Sequence, residues 1–367
     1  MRLVVTGGGT GGHIYPALEV ARLASERGTE IRYLGSLRGQ ESAACAARGI
    51  SFLGFPSEPL WSLKTFGGWR ALLALQRSRG MARRALRADR PDVVFSTGGF
   101  SAGPVVAAAR DLGIPYIVHS ADSVPPRSSA MFARQAFAFT TVFRSTEKFF
   151  TERPVTRTGQ PIRDELRSAA ATERPEGEPT VLVIGGSQGA EFLNTYVPLA
   201  AATGRFQARV IHATGPKHLE VTLDRIRKAG LGETYQAVPY LEAPALIQAM
   251  RSATVVVARA GGTLAELALF GLPTVLVPLP TSANDHQLHN AREFQAMEAA
   301  TVLWQPDERR HPAPEARPEA IAEAIAGWLS DAPRREAARH NLKEWDVPDA
   351  TARIVSLIEQ AAQSRNA

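Results

Sequence analysis

Leu3-Val4-Val5-Thr6-Gly7-Gly8-Gly9-Thr10-Gly11-Gly12-His13 runs from a short apolar segment into glycine, and an alanine- and leucine-rich stretch follows. The pattern predicts a strand over residues 3–6, a tight turn of the form G-x-G-x-x-G, and a helix over 15–27. Glycine in that turn permits positive φ and lets backbone N–H groups approach phosphate oxygens. The N-terminus of the following helix adds about half a positive charge. Two readings are open for the turn alone: a phosphate-binding loop, or a tight corner in any doubly wound sheet. A dinucleotide site is disfavoured, because it needs an acid at the end of the second strand to hold the ribose. The second predicted strand, residues 30–34, leads into Gly35-Ser36 and carries its acid, Glu30, at the start.

Outward from this turn, apolar β-rich runs alternate with helical stretches. A helix is expected over 40–48, strands over 93–96 and 116–119, and an Ala-rich helix near 104–111. This is the rhythm of a parallel sheet covered on both faces. Residues 168–179 are polar with two prolines and no apolar period, as in a linker. The rhythm then restarts: Val181-Leu182-Val183-Ile184 runs into Gly185-Gly186-Ser187-Gln188-Gly189-Ala190, about 180 residues after the first such turn. Further strands are expected over 209–213, 235–238, 254–258 and 274–277, with a helix beginning near Gly262. Residues 349–363 have a helical period. The expectation is an α/β chain of two Rossmann-like domains whose parallel sheets face each other across a cleft. The expected divisions are an N-terminal domain over 1–160, a linker over 161–179, a second domain over 180–345, and a C-terminal helix over 346–367 placed to pack back on the first domain.

Composition bounds the function. The 367 residues are 44% hydrophobic and 21% charged, which suits a soluble globular chain with a sizeable core. No run approaches the roughly 18 apolar residues of a membrane span. The N-terminus breaks into glycine too early for a signal peptide, so the chain is expected in, or facing, the cytoplasm. A lone cysteine, Cys45, excludes an intramolecular disulfide and a cysteine-cluster metal site. The net charge of +6 is mild but concentrated: residues 61–90 hold eight lysines and arginines against one acid, Asp89. An anionic surface is the expected partner, or the segment is a partly buried helix with a solvated basic face. Nucleic acid is not expected, because no binding motif accompanies the run.

Several side chains around the glycine turns can carry chemistry. His13 lies at a helix N-terminus, which disfavours a cation and suits a base, or it caps and packs. Ser187 can add a hydroxyl donor to a phosphate. Arg259-Ala260-Gly261-Gly262-Thr263-Leu264-Ala265-Glu266 repeats the strand-to-helix design. Glu266 can accept two hydrogen bonds from a ribose diol, or merely offset the helix dipole. His286 and His289 have a spacing open to a metal, but no carboxylate or cysteine set joins them. The amides of Gln287 and Asn290 suit sugar hydroxyls better, since an amide both donates and accepts.

Together the motifs resemble a known family. The first loop with His13, Ser96-Thr97-Gly98-Gly99-Phe100, Gly159-Gln160-Pro161-Ile162-Arg163, the Gly-Gly-Ser-Gln-Gly-Ala loop, residues 259–266 and His286-Gln287-x-x-Asn290-Ala291 come in order over nearly the whole chain. They are similar to the MurG family, the membrane-associated N-acetylglucosaminyltransferases of bacterial peptidoglycan synthesis, which have the GT-B fold. The resemblance implies inverting transfer of GlcNAc from UDP-GlcNAc to the MurNAc 4-hydroxyl of lipid I, giving lipid II, with no cofactor or metal. It implies that uracil meets backbone near Leu241, that Glu266 binds the ribose, and that Ser187 and Arg163 contact phosphate. Gly262 and Thr263 belong to the same donor loop, and His286, Gln287 and Asn290 surround the sugar. Thr10, Gly11, Gly12 and His13 face the acceptor, with His13 the candidate base. The basic segment gains a role in docking on the anionic inner leaflet of the cell membrane through Trp61, Leu63, Phe66, Trp69, Arg70 and Leu73. Peripheral attachment to the cytoplasmic face is implied, with other cell-wall enzymes as further partners.

Three positions depart from the family pattern. His119-Ser120-Ala121-Asp122 replaces His-Glu-Gln-Asn, so Asp122 stands where an Asn approaches the donor sugar. A carboxylate beside a diphosphate must be protonated, paired with a base such as Arg127, or be the base itself. Gly159-Gln160-Pro161 replaces Gly-Asn-Pro, and residues 259–266 are one residue short. Two rivals share the donor: a GT-B enzyme glycosylating another lipid such as diacylglycerol, and a catalytically silent UDP-GlcNAc-binding scaffold.

Overall fold

The computed structural model describes residues 1–59, 66–150, 155–175, 177–307 and 314–366; the side chains of Phe66, Arg127, Ser128 and Asn366 are outside that description. The chain divides into two compact units, residues 1–163 with 347–367, and residues 164–346.

In the first unit, β1 (Arg2–Thr6), β2 (Glu30–Ser36), β3 (Ser51–Phe55), β4 (Val93–Ser96), β5 (Tyr116–Ser120), β6 (Ala138–Thr141) and β7 (Thr156–Arg157) form one sheet in the order β3-β2-β1-β4-β5-β6-β7. Every pairing is parallel. Parallel strands need crossovers and bury both faces, so the central strands read as continuous apolar runs. Val4, Val5, Val93, Val94 and Phe95 are accordingly buried. The first helix, Gly11–Glu26, covers one face with Ile14, Ala17, Leu18 and Ala21.

The C-terminal helix, Ala350–Asn366, lies beside it and adds Ile354, Val355, Ile358 and Ala361 to the same core. The two ends of the sequence therefore complete one layer. Gly159, at φ +77°, faces Val347 so closely that a Cβ there would fall 2.5 Å from the valine Cβ.

The second unit repeats the plan. β8 (Thr180–Ile184), β9 (Arg209–Ala213), β10 (Tyr235–Val238), β11 (Val255–Ala258), β12 (Thr274–Leu276) and β13 (Ala300–Val302) form a parallel sheet ordered β10-β9-β8-β11-β12-β13. In both sheets the strand order reverses beside the first strand. Successive crossovers then leave to opposite faces and open a crevice at the carboxyl edge, between β1 and β4 and between β8 and β11. Both glycine turns sit at these reversal points. The helix Asp164–Ala170 occupies the start of the segment expected as a linker.

The basic segment becomes the helix Phe66–Asp89 from Phe66 onward; Trp61 and Leu63 lie outside the described residues. Ala71, Ser78, Ala82 and Leu86 form its buried face. Trp69 and Leu73, one turn apart, are 58% and 65% exposed, with Arg70 and Arg77 beside them. No helix among the described residues is long and apolar enough to cross a membrane.

Because Ile358 sits in the layer that joins the two chain ends, Ile358→Ala should lower the stability of the first unit by about 2–5 kcal/mol. Urea unfolding followed by hydrogen exchange on β1 and β4 measures it; a change below about 0.5 kcal/mol, the range of an ordinary surface substitution, would show that the C-terminal helix does not share that core.

Candidate active site

The first glycine turn is held from several sides. Gly8 N–H donates to the Gly98 carbonyl at 3.2 Å. Gly9 N–H donates to Oε1 of the fully buried Glu41 at 3.2 Å, and the Tyr33 hydroxyl donates to the Gly7 carbonyl. Those N–H groups are spent inside the protein. What stays open is the first turn of the helix at Gly11 and Gly12: among the described residues it has no acid and no side-chain cap, and Thr10 at the N-cap is extended and exposed. An uncapped helix N-terminus at a sheet reversal point favours an anion.

His13 crosses the reversal point. Its Nδ1 donates to the Thr97 carbonyl at 2.9 Å, while the Thr97 hydroxyl donates to the His13 carbonyl at 2.7 Å. With Nδ1–H committed to a carbonyl, Nε2 is the nitrogen left to accept a proton. Gly98, at φ +86°, leaves open the space beside the ring, where a Cβ would be 3.8 Å from Cε1.

Behind this surface His119 is fully buried. Its Nδ1 accepts from the Thr140 hydroxyl at 2.9 Å and its Nε2 donates to Gln160 Oε1 at 3.1 Å. Burial pushes its pKa down to about 4; the Gln160 hydrogen bond opposes this and neighbouring His13 adds to it. Gln160, one of the positions that departs from the family pattern, thus serves as the acceptor that fixes a buried neutral imidazole. Asp122 follows β5 and is half-buried, and its carbonyl accepts from Ser120 Oγ and Thr146 Oγ1, both at 3.3 Å. Arg127, the base considered as its partner, has no described side chain. Arg163 ends the first unit with its guanidinium 5.0 Å from the Tyr15 ring centre, and Arg48 reaches the same ring at 5.7 Å.

In the second unit the loops after β8, β10, β11 and β12 emerge at one sheet edge. They carry Ser187, Leu241, residues 261–266 and residues 286–290 respectively. Gly189 and Gly215 permit a close backbone approach: a Cβ on Gly189 would lie 1.8 Å from the Thr214 carbonyl oxygen. A buried chain holds that turn in place. The Tyr235 hydroxyl donates to His212 Nδ1 at 2.8 Å, His212 Nε2 donates to Asn194 Oδ1 at 2.9 Å, and Asn194 Nδ2 donates to the Thr214 carbonyl at 2.8 Å. Burial pushes the His212 pKa down to about 3.

Arg259 supports the third loop from within. Its guanidinium donates to the Val277 and Pro278 carbonyls at 2.8 and 3.1 Å and to Gln305 Oε1 at 2.6 Å, and burial brings its pKa to about 10. Asn290 is fully buried and donates to the Ala260 carbonyl at 3.0 Å. Gln287 Oε1 accepts from Leu279 N–H at 3.0 Å, with its Nε2 beside Gly261. His286 Nδ1 donates to the Ala283 carbonyl at 2.8 Å. Thr263 is the N-cap of the short helix Leu264–Leu269, and Glu266 lies in its first turn. Asn284 and Asp285 both adopt left-handed backbone, at φ +53° and +52°, to turn the chain into the helix His286–Ala296. Asn and Asp are the side chains that tolerate this conformation best. Among the described residues no three His, Cys, Asp or Glu side chains are grouped as a metal site would need.

The loop residues are legible in the sequence, whereas the supports beneath them, Tyr33, Glu41 and the His212 chain, are not, nor are the contacts that Thr97 and Arg259 make from within their motifs. Residues 3–140 match the glycosyltransferase family 28 N-terminal domain and residues 180–354 the family 28 C-terminal domain. A transferase from Halorhodospira halophila is 37% identical, over 98% of both chains, and one from Halothermothrix orenii is 32% identical, over 99% of this chain and all of the relative. Both are named UDP-N-acetylglucosamine--N-acetylmuramyl-(pentapeptide) pyrophosphoryl-undecaprenol N-acetylglucosamine transferase. The chain belongs to the MurG family. A solved MurG structure from Acinetobacter baumannii superposes with a TM-score of 0.76 at 26% identity, over 98% of this chain and 99% of that one. The GT-B class and the glycosyltransferase activity expected from the sequence are therefore established. The chain carries its glycine loops at both reversal points.

The two buried histidines give a pH dependence. Each has a folded pKa below its unfolded value near 6.5, so the unfolded chain takes up protons first as pH falls, and stability drops from pH 6.5 downward through 4. Thermal melting between pH 7.5 and 4.5 should show this decline, and His212→Asn should be less stable at pH 7.5 but decline less steeply. An equal slope in the variant would remove His212 from that account.

Proposed function

We propose that the chain transfers GlcNAc from UDP-GlcNAc to the MurNAc 4-hydroxyl of lipid I, forming lipid II with inversion at the anomeric carbon. The supporting observation is the near-full-length match to relatives named for that reaction, coupled with the family's loops at both sheet reversal points. In the reaction the acceptor oxygen attacks the anomeric carbon from the face opposite UDP. The new C–O bond forms as the bond to the diphosphate breaks, and UDP leaves with that electron pair. The hydroxyl proton passes to a base, for which His13 Nε2 is the candidate because Nδ1–H is tied to Thr97. Asp122, on the loop after β5, is the second candidate.

Donor recognition is assigned to the second unit. Backbone near Leu241 meets the uracil, and Glu266 accepts from the ribose hydroxyls as an acceptor-only carboxylate. Ser187 donates to phosphate, Gly262 and Thr263 shape the donor loop, and His286 and Gln287 bind the sugar. Asn290 acts through the Ala260 carbonyl to set the loop beside the sugar. Arg163 and the uncapped helix N-termini stabilise the negative charge that develops on the leaving group. Thr10, Gly11 and Gly12 face the acceptor diphosphate. With these groups supplying the charge stabilisation, transfer proceeds in EDTA.

The lipid-linked acceptor requires access to a bilayer. The exposed Trp69 and Leu73 are suited to enter the headgroup region and Arg70 and Arg77 to meet anionic lipid, which supports peripheral attachment to the inner leaflet, with other cell-wall enzymes as further partners.

His13→Ala should reduce kcat by roughly 10²–10⁴-fold while leaving the UDP-GlcNAc Kd unchanged. Glu266→Ala should instead raise that Kd by about tenfold, the worth of one charged hydrogen bond. Steady-state kinetics and calorimetry separate the two; full turnover in the first, or unaltered donor affinity in the second, removes the role assigned. Trp69→Ser with Leu73→Ser should weaken sedimentation with phosphatidylglycerol vesicles and leave turnover on a water-soluble acceptor analogue intact, whereas unchanged sedimentation would mean that face does not dock.

A further inference from the structure

At the amino-terminal edge of the second sheet, where β8 begins at Thr180 and its neighbour β9 at Arg209, a cavity of about 1080 Å³ opens. The glycine loops leave from the other end of these strands, so the cavity is separate from the donor loops. Arg174, Arg209, Arg251, Arg335 and Arg339 line it, and Glu178 is the only acid among the described lining residues. Glu176, next to the lining, lies outside the described residues. Pro175, Pro244 and Ile247 give it an apolar wall.

The guanidinium groups are fixed by the protein and incompletely used. One terminal nitrogen of Arg174 donates to the Ala253 carbonyl, while Nη1 is buried with no partner among the described residues. Arg251 donates to the Glu173 carbonyl at 2.6 Å and its buried Nε has no such partner. Arg335 donates to the Trp328 and Leu329 carbonyls at 2.6 and 2.7 Å. Arg339 lies over Gly271, where a Cβ would come within 2.5 Å of its Cγ; it pairs at the rim with Glu336 at 2.8 Å, and its buried Nε is unpartnered. Like charges are thus gathered around one space with buried donors left over. Arg174 registers this: burial first, and then Arg339, bring its pKa to about 10.

We infer that this cavity binds a small polyanion bearing two or more phosphate groups. The planar guanidinium fork matches phosphate oxygens two at a time, and backbone carbonyls already hold three of the five side chains, Arg174, Arg251 and Arg335, so that little of their rotamer freedom is lost on binding. The volume exceeds what a single phosphate needs and suits a nucleotide-sized ligand whose apolar part rests on Pro244 and Ile247. Free oligophosphate metabolites and anionic phospholipid headgroups share this chemistry.

Calorimetry of the full chain with inorganic tripolyphosphate tests the site, with UDP held at saturation so that the donor loops are filled. One tripolyphosphate should bind per chain. Arg209→Gln with Arg339→Gln should weaken it at least tenfold and leave the UDP Kd unchanged. Arg209 donates to Gln236 Oε1 and Arg339 to Glu336 Oε2, both side-chain acceptors, and the melting temperature checks that the fold is kept. A second pair, Arg174→Lys with Arg251→Lys, retains charge but loses the fork and should weaken binding by a smaller factor. Sedimentation with cardiolipin vesicles, whose headgroup carries two phosphates, distinguishes the sources when the other docking face is removed by Trp69→Ser with Leu73→Ser: loss on adding the Arg209/Arg339 pair assigns a lipid headgroup, and no further change assigns a soluble oligophosphate. Absence of tripolyphosphate binding, or binding unaffected by both pairs, overturns the site whatever the vesicles show.

Discussion

Backbone meets backbone where the turn after the first strand of each sheet touches the turn after a neighbouring strand, β4 in the first unit and β9 in the second, and the approach is closer than any Cβ allows. A Cβ on Gly99 would stand 2.0 Å from the Gly8 carbonyl oxygen, and one on Gly215 would stand 2.2 Å from that of Gln188. These positions also have φ near +85°, which L side chains rarely adopt. The contact sets how near the turn after the first strand can come to the turn after the neighbouring strand. In the first unit that closeness lets His13 and Thr97 exchange hydrogen bonds across the reversal point. In the second it seats the Gly-Gly-Ser-Gln-Gly loop on Thr214, which the buried Tyr235–His212–Asn194 chain holds from below. The chemistry depends on glycines that perform none of it.

The same constraint explains what was legible in the sequence. Strands over 93–96, 209–213 and 235–238 are read to the residue, because each is a compact apolar run bounded by loop signals. The first helix starts at Gly11, four residues before the expected Tyr15, because two glycines with poor helix propensity conceal a first turn that the surrounding fold enforces. The strands Ser51–Phe55, Ala138–Thr141, Thr156–Arg157 and Ala300–Val302 are not legible in the sequence. They lie toward the sheet margins and are short, and their pairing partners decide them more than their composition does.

Site residues divide in a similar way. Loop glycines, His13, Ser187 and Glu266 are visible from sequence because a strand, a turn and a helix frame them. The buried Glu41 gives no such signal, since an acid opening a helix ordinarily faces water. Asn290 and Arg259 announce polar chemistry by residue type, but type does not give direction. Their groups reach the Ala260, Val277 and Pro278 carbonyls, where they brace the loop after β11. Gln160 is the converse case: a departure from the family pattern has a plain structural use as the acceptor for His119.

The central claim is that this architecture acts on a lipid-linked muramyl acceptor. Radiolabelled UDP-GlcNAc offered in parallel to a lipid I analogue and to diacylglycerol tests it most directly, with EDTA in both tubes. The account predicts label transfer to the lipid I analogue alone, in a β linkage. Transfer to diacylglycerol instead, or donor binding without transfer to either, would contradict it.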